Sequence, residues 1–237
     1  MIAVSEFLKK EISAKTGKDD IRVLRNSVDE KIFYKDLQKR LQMRQSLGLS
    51  DDEVAVCYSG RIVKPKGVMQ LIQAFAELGG EAKCKLFLFG SLGGLFKNTE
   101  NDKPEFAAEL MRIAEPLKDK VVFTGFVDND KLPDYLNAMD IAVMPSIYPE
   151  TCALNNVEYQ SVGLPVITTD SGGIKEFVND GAVILDHRKD LVSQLRDALI
   201  SLIASPEKRS SMSEASLSYA SCFTRRNYYK SFLEILK

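Results

Sequence analysis

The chain contains no tryptophan, a single histidine and only four cysteines among its 237 residues. The cysteines (Cys57, Cys84, Cys152 and Cys222) have neither the spacing of a disulfide framework nor that of a zinc site. No apolar run approaches the roughly 20 residues that a membrane-spanning helix needs. Charge of neither sign is in excess, with 32 basic and 33 acidic residues, so no nucleic-acid-binding surface is implied. From these absences we expect a cytoplasmic protein without a membrane-spanning segment.

What is present is a regular alternation of short apolar runs and amphipathic stretches. The apolar runs predict strands near 54–58, 84–89, 121–123, 141–144, 165–168 and 182–185. The stretches between them predict helices near 67–78, 104–117, 131–138, 153–162, 174–178 and 189–203. This alternation predicts an α/β fold with a doubly wound, Rossmann-like parallel sheet and right-handed crossovers. The polar stretch 91–103 is predicted to be a mobile loop.

Two acids, Glu150 and Glu158, have seven residues between them: Glu150 is predicted to lie in a loop just before a helix, and Glu158 on that helix just over two turns later. Positions i and i+8 lie near a whole number of helical turns, so both acids would face a ligand at the helix start. Free backbone N–H groups of Ala153, Leu154 and Asn155 would point to the same place and attract an anion. An anion flanked by hydroxyl-bearing groups describes a nucleotide sugar. The alternative is an exposed helix with an ordinary capping acid.

A second segment carries two cations in a glycine-containing loop. The predicted strand 54–58 runs into Ser59-Gly60-Arg61-Ile62-Val63-Lys64-Pro65-Lys66-Gly67 and then into an amphipathic helix. An α/β sheet presents anion sites in this way at the carboxyl ends of its strands. Arg61 can fork onto phosphate oxygens and Lys66 can add a point charge. The Gly-Lys-Ser/Thr order of a Walker A loop is absent, and solvated surface cations are the alternative interpretation.

Together these segments resemble the donor-binding half of retaining, GT-B-fold glycosyltransferases of the large family four. The resemblance runs without a gap, in the family's order, over about residues 54–185. Besides the cation loop and the acid pair, it is carried by Val121-Val122-Phe123-Thr124-Gly125-Phe126-Val127, Asp140-Ile141-Ala142-Val143-Met144-Pro145-Ser146, Gly163-Leu164-Pro165-Val166-Ile167-Thr168 and Gly172-Gly173-Ile174-Lys175-Glu176. This chain departs from the family at Cys152-Ala153, where many members carry Phe-Gly. The methyl group of Ala153 lies where the backbone of the family usually approaches the ligand closely, so it affects the expected orientation of the donor.

The resemblance implies transfer of a sugar from a nucleoside-diphosphate sugar to an unidentified acceptor, with retention. Arg61, Lys66 and Glu150 would carry the catalysis, the cations by stabilising the leaving diphosphate and Glu150 by contacting the sugar hydroxyls. Glu158 would accept hydrogen bonds from the ribose. The donor site implied in full is Gly60, Arg61, Lys66, Gly90, Phe126, Val127, Leu132, Glu150, Ala153, Leu154, Asn155 and Glu158. No metal and no other cofactor are expected.

The resemblance also implies how the chain is divided into domains. Residues 1–28 look like the last piece of the acceptor-binding domain and the linker, 29–205 like the donor-binding domain, and 206–237 like a C-terminal helical tail. The acceptor-binding domain, or a partner chain in its place, is therefore expected to be missing, and any membrane contact would come from that half. Two alternatives stay open: a nucleotide-sugar-binding subunit of a split transferase, inactive alone, and a GT-B nucleotide-sugar epimerase.

The large apolar residues of the tail also allow two interpretations. They would either form an interface for the missing domain or pack on the sheet of this domain. The residues concerned are Phe223, Tyr228, Tyr229, Phe232 and Leu233.

Overall fold

The computed structural model describes residues 1–79, 82–92 and 104–237. The chain opens with a small unit in which β1 (Ile2–Ala3) and β2 (Arg22–Val23) pair in parallel on either side of α1 (Glu6–Thr16). The hydroxyl of Ser5 accepts the N–H of Leu8 at 3.0 Å and so caps the N-terminus of α1.

The main sheet follows and has six parallel strands. They are β3 (Val54–Ser59), β4 (Cys84–Phe89), β5 (Val121–Gly125), β6 (Ile141–Met144), β7 (Val166–Thr169) and β8 (Ala182–Leu185). Their order is β5-β4-β3-β6-β7-β8, which confirms the predicted doubly wound parallel sheet. The winding reverses between β3 and β6, and the crevice at the carboxyl ends of such a pair is where open α/β sheets bind ligands.

Eight helices follow α1 in the part of the chain that the structure describes. They are α2 (Leu37–Ser46), α3 (Val68–Ala76), α4 (Pro104–Ala114), α5 (Leu132–Ala138), α6 (Leu154–Ser161), α7 (Leu191–Ala204), α8 (Pro206–Ala220) and α9 (Arg225–Ile235). α3 packs with α7, α2 with α5, and α6 with α8. None of these helices is long and apolar enough to cross a membrane.

The central strand β3 shows why both faces of the sheet are covered. All six of its residues are buried. Val54, Val56 and Tyr58 belong to one core cluster, whereas Ala55 and Cys57 belong to the other. Since successive side chains point to opposite faces, a continuous apolar run requires helices on both sides, as predicted.

The pattern does not predict α2, and the structure shows the physical reason. Its ten residues, LQKRLQMRQS, are mostly polar, so little apolar area holds the helix in place. Instead Arg44, which is 7% exposed, donates to Asp140 at 3.0 Å and to the carbonyls of Ala138, Ser50 and Glu53 at 2.7–3.1 Å. A helix held by such long-range contacts leaves no signal in hydrophobic periodicity.

Three other predictions differ from the structure or lie outside it. The predicted helix 174–178 is a 3₁₀ turn over Ile174–Phe177. In the tail, Phe223 packs in a core of this domain, which agrees with the second interpretation for that residue, whereas Tyr229 is 61% exposed, and an interface formed by such exposed residues stays a prediction. The predicted loop 91–103 lies outside the described residues from position 93 onward.

Arg44→Ala tests whether α2 depends on this buried guanidinium. The substitution leaves three carbonyls without their donor and removes one partner of Asp140, so it should lower the free energy of unfolding by about 3 kcal/mol. Lys15→Ala, which removes the exposed ion pair between Lys15 and Glu11, should cost less than about 0.5 kcal/mol. Urea denaturation followed by circular dichroism measures both, and equal effects would contradict the assignment.

Candidate functional site

A cavity of about 290 Å³ opens at the carboxyl ends of β3, β4 and β5 and beside the first turn of α6. It is lined by Ser59, Gly60, Arg61, Phe89, Gly90, Ser91, Phe126, Val127, Asn129, Leu132, Leu154, Asn155 and Glu158. All the predicted donor-site residues except Lys66, Glu150 and Ala153 are in this set. Ser59, Phe89, Ser91 and Asn129 were not predicted, although their places at or just beyond strand ends could have indicated them.

The floor of the cavity depends on the close approach of two loops. The N–H of Gly60 donates to the carbonyl of Phe89, and the N–H of Gly90 donates to the carbonyl of Gly125, both at 2.9 Å. A Cβ atom at Gly90 would lie 1.9 Å from the carbonyl oxygen of Gly60. Only glycine therefore allows the ends of β3 and β4 to approach this closely.

Arg61 lies at the rim of the cavity with its side chain exposed. Its backbone is fixed, since the hydroxyl of the buried Tyr58 donates to the carbonyl of Arg61 at 2.6 Å. Within residues 1–79, 82–92 and 104–237, no acid or carbonyl accepts from its guanidinium. The five donors of this group are thus available to an anion in the cavity.

Glu158 is the only ionisable residue besides Arg61 in the cavity wall that the structure describes. No donor from the described residues reaches its carboxylate, and burial raises its pKa from 4.5 to about 7. A half-buried acid without a partner costs stability. Its position beside an open cavity makes it suited to accept hydrogen bonds from the hydroxyl groups of a ligand.

The N-terminus of α6 has no side-chain cap. Ala153 occupies the N-cap position with φ −91° and ψ 59°, and its side chain accepts no N–H of the first turn. The first N–H groups of a helix have no partner within it, so they can donate to an anion. Ala153 itself is 2% exposed and absent from the cavity wall, so its place in the donor site, through its backbone, stays a prediction; its φ is one that any residue adopts.

Two side chains of α6 fasten this helix to the end of β3. Asn155 donates from Nδ2 to the carbonyl of Ser59 at 2.9 Å. The buried hydroxyl of Tyr159 accepts the N–H of Ser59 at 2.7 Å. The helix N-terminus and the loop that carries Arg61 are therefore held in a fixed relation to each other.

Glu150 and Lys66 lie outside the cavity wall and bind one another. The ammonium of Lys66 is 2.6 Å from Oε1 of Glu150, with the two side chains 26% and 14% exposed. Ser146 donates from Oγ to the same oxygen at 2.5 Å. The backbone of Glu150 is also fixed, because its carbonyl accepts the N–H of Gly173 at 2.7 Å. The predicted cation and acid thus form one preassembled group.

The spacing argument for the acid pair is wrong. α6 begins at Leu154, after Glu150, so only Glu158 lies on the helix. Glu150 lies in the preceding loop, where it forms a bridge with Gly172. The two acids are consequently positioned by different elements, and helical periodicity does not relate them.

Two acidic groupings bear on whether this protein needs a metal. The sequence contains one Asp-x-Asp spacing, Asp128-Asn129-Asp130. All three residues are exposed in a turn, and the carbonyl of Asp128 accepts the N–H of Leu132 at the start of α5. The turn thus has a structural role in starting α5, and a role in metal binding is not needed to explain it.

The second grouping joins the carboxyl ends of β7 and β8, where ligand atoms of Asp170, Asp186 and His187 lie within 4.8 Å of one another. Although burial acts to raise the pKa of Asp170, hydrogen bonds from the ring and backbone of His187 outweigh it and hold that pKa at about 2. Lys175 and Arg188 approach the same carboxylate at 3.7 and 3.8 Å. The positive charges of Lys175 and Arg188 thus offset the negative charge of this carboxylate. The expectation that the protein needs no metal remains a prediction.

Comparison with known proteins identifies what this arrangement is similar to. The family model of the glycosyl transferases group 1 matches residues 39–218. An uncharacterized glycosyltransferase of Methanocaldococcus jannaschii is 29% identical over 182 residues, which is 75% of this chain and 44% of that protein. The lipopolysaccharide 1,2-N-acetylglucosaminetransferase of Salmonella typhimurium is 26% identical over 76% of this chain and 46% of its own length. The chain therefore spans less than half the length of these two relatives.

Solved structures share the fold. HepE of Anabaena, in complex with UDP and glucose, superimposes with a TM-score of 0.86 at 22% identity, over 99% of this chain and 62% of that one. The C-terminal domain of the group 1 glycosyl transferase LpcC from Francisella tularensis superimposes with a TM-score of 0.69 at 24% identity, over 82% of this chain and 96% of that domain. This fold is thus also that of a C-terminal domain.

Glu158→Gln tests the unpaired acid without any ligand. Because folding raises the pKa of Glu158, the folded state is not penalised below pH 4.5, where the acid is protonated in both states. The penalty grows as pH rises from 4.5 to about 7 and is then constant. Above pH 7 the variant should therefore be more stable than the wild type by up to about 3 kcal/mol.

Urea denaturation at a series of pH values measures this difference. The substitution of an exposed acid of α8, Glu214→Gln, is the control and should give a curve parallel to that of the wild type. A parallel curve for Glu158→Gln as well would show that this carboxyl is not desolvated.

Proposed function

The chain belongs to the group 1 glycosyl transferases and has the fold of the C-terminal half of a GT-B enzyme, and on this premise we propose that it binds the sugar donor. The donor is a nucleoside-diphosphate sugar held at the carboxyl ends of β3, β4 and β5. The sugar is transferred with retention once an acceptor-binding half closes the cleft. This chain alone binds the donor and transfers it weakly or not at all.

The observation that carries this proposal is that three groups of one cavity lack partners among the residues that the structure describes, and each matches part of a nucleoside diphosphate. Arg61 and the uncapped N-terminus of α6 offer donors to the two phosphates. Glu158 accepts from the ribose hydroxyls, and its ionised form accepts more strongly than its protonated form. Phe126, which is 71% exposed, and the neighbouring Val127 and Leu132 provide an apolar wall for the base.

The sugar lies on the side of the preassembled pair. Glu150 accepts from sugar hydroxyls, while Lys66 turns towards the diphosphate. As the bond between the anomeric carbon and the phosphate oxygen breaks, negative charge gathers on the diphosphate. Lys66, Arg61 and the N–H groups of α6 stabilise that charge, and preorganised donors of this kind supply the largest share of many enzymatic rate enhancements. No metal is required in this account.

HepE gives the first nucleotide to test. Structures of that protein were determined with UDP, with UDP and glucose, and with UDP-glucose. Uridine is therefore the first base to try, followed by guanosine and adenosine. In a complete enzyme, analysis of the products separates transfer to an acceptor from epimerisation of the donor.

Removal of either cation tests the diphosphate site. Arg61→Ala and Lys66→Ala should each weaken UDP binding by about 1.5–3 kcal/mol, the range for hydrogen bonds to charged groups, while binding of uridine should hardly change. Isothermal titration calorimetry on this chain measures both ligands. Lys64→Ala removes an exposed cation of the same loop that lies outside the cavity wall and should leave UDP binding within about 0.5 kcal/mol of the wild type.

Two results would overturn this assignment. If the folded wild type binds none of UDP, GDP and ADP, the proposed function is wrong. If Arg61→Ala and Lys66→Ala weaken uridine as much as UDP, the two residues support the fold and not the phosphates.

Glu150→Gln tests whether the two acids have separate roles, with Glu150 binding the sugar and Glu158 binding the ribose. Because the substitution releases Lys66 from its ion pair, UDP binding should stay at least as strong as in the wild type, whereas the contribution of glucose to UDP-glucose binding should fall by about 1 kcal/mol or more. Titration of both ligands measures the change. Loss of UDP binding with Glu150→Gln, together with intact binding in Glu158→Gln, would mean that the two roles are reversed.

A further inference from the structure

Ser146 is a buried hydroxyl beside the proposed sugar site. It is the second residue after β6, following Pro145, and has no solvent-exposed surface. Its Oγ lies 2.5 Å from Oε1 of Glu150 and 3.3 Å from the carbonyls of Pro65 and Tyr148. A hydroxyl has one proton to donate, and a carboxylate at 2.5 Å accepts more strongly than a carbonyl at 3.3 Å. The Ser146 hydroxyl therefore donates its hydrogen bond to Oε1 of Glu150.

The position of Ser146 does not depend on Glu150. Its carbonyl accepts the hydroxyl of Thr169 at 2.5 Å, and Thr169 is a buried residue at the end of β7. On the other side, a Cβ atom at Gly67 would lie 1.9 Å from the carbonyl of Pro145, so the cation loop packs directly on this backbone. Ser146 is thus a donor held in place by two neighbouring elements.

Lys66 and Ser146 share one oxygen of Glu150. The ammonium of Lys66 is also a donor that the proposed function assigns to the diphosphate. When Lys66 turns to the phosphate, Ser146 is the remaining partner of Oε1 among the described residues. A carboxylate that is 14% exposed needs such a donor to stay in one orientation.

We propose that Ser146 is a positioning residue: it holds the carboxylate of Glu150 towards the hydroxyls of the donor sugar while Lys66 moves from Glu150 to the diphosphate. The proposal rests on the proposed function of the cavity. Arrival of the diphosphate thereby frees an oxygen of Glu150 for the sugar, and Ser146 keeps that oxygen in place. The sugar is recognised through this hydrogen bond although Ser146 does not touch it.

Titration calorimetry with UDP and UDP-glucose on this chain tests the proposal. Ser146→Ala should leave UDP affinity within about twofold of the wild type and lower UDP-glucose affinity about tenfold or more, as expected for a hydrogen bond to a charged group. Ser146→Cys keeps the size of the side chain but donates weakly, so it should give the same loss even if the alanine variant folds poorly.

Ser171→Ala is the matched control. Ser171 lies in the neighbouring loop, is equally buried, and its hydroxyl has no hydrogen-bond partner in the part of the chain that the structure describes. Its replacement should leave the ratio of the two affinities unchanged. In the Glu150→Ala background, which removes both side-chain oxygens of residue 150, Ser146→Ala should have no further effect on that ratio, because the oxygen to which Ser146 donates is gone.

The outcomes separate this proposal from the proposed function. If the wild type binds UDP and Ser146→Ala weakens UDP and UDP-glucose equally, or still changes their ratio in the Glu150→Ala background, Ser146 has only a structural role. If the folded wild type binds none of UDP, GDP and ADP, the proposed function fails and this proposal fails with it. If it binds GDP or ADP instead of UDP, the same comparison is made with that diphosphate and its sugar.

Discussion

The carbonyl of Pro65 is the contact on which the arrangement of the site depends. It accepts the N–H groups of Ile147 and Tyr148 at 3.0 and 3.2 Å, and so joins the loop after β3 to the loop after β6. These loops leave the two strands between which the sheet reverses its winding. Because the contact fixes the backbone on both sides, Lys66 and Glu150 meet without any ligand. A single backbone acceptor therefore converts the crevice of a doubly wound sheet into an assembled site.

The two edges of the sheet differ in how completely their polar groups are paired. At the amino end of β6, Asp140 binds Arg40, Arg44 and the N–H of Ala55. At the carboxyl edge, Arg61 and Glu158 have no partner among the described residues, and α6 lacks a cap. Unpaired charges and free N–H groups destabilise a fold. Their concentration around one cavity is what distinguishes a binding site from a structural edge.

The sequence predicts most of this fold because the strands are continuous apolar runs. The predicted bounds of β4, β6 and β8 agree with the structure, and most predicted donor-site residues line the cavity. α2 could not be predicted, since Arg44 holds it through contacts that are distant in sequence. The start of α6 was predicted to within one residue, although its N-cap, Ala153, carries none of the side-chain signals of a helix start.

The pairing of Glu150 with Lys66 also lies beyond sequence reasoning. Both residues stand out in their motifs, but their contact depends on how the two loops after β3 and β6 pack, and no local pattern encodes that packing. The same holds for Ser146, whose importance appears only from its distance to Glu150. Sequence motifs therefore identified the residues of the site, and the structure supplied the contacts that give them separate roles.

A crystal structure of this chain with UDP-glucose tests the central claim most directly, since it shows which partner each unpaired group takes. The account predicts the diphosphate at the N-terminus of α6 within hydrogen-bond distance of Arg61, the ribose hydroxyls on Glu158, and Lys66 moved from Glu150 to a phosphate oxygen. A nucleotide bound outside this cavity, or a ribose that does not contact Glu158, would contradict it.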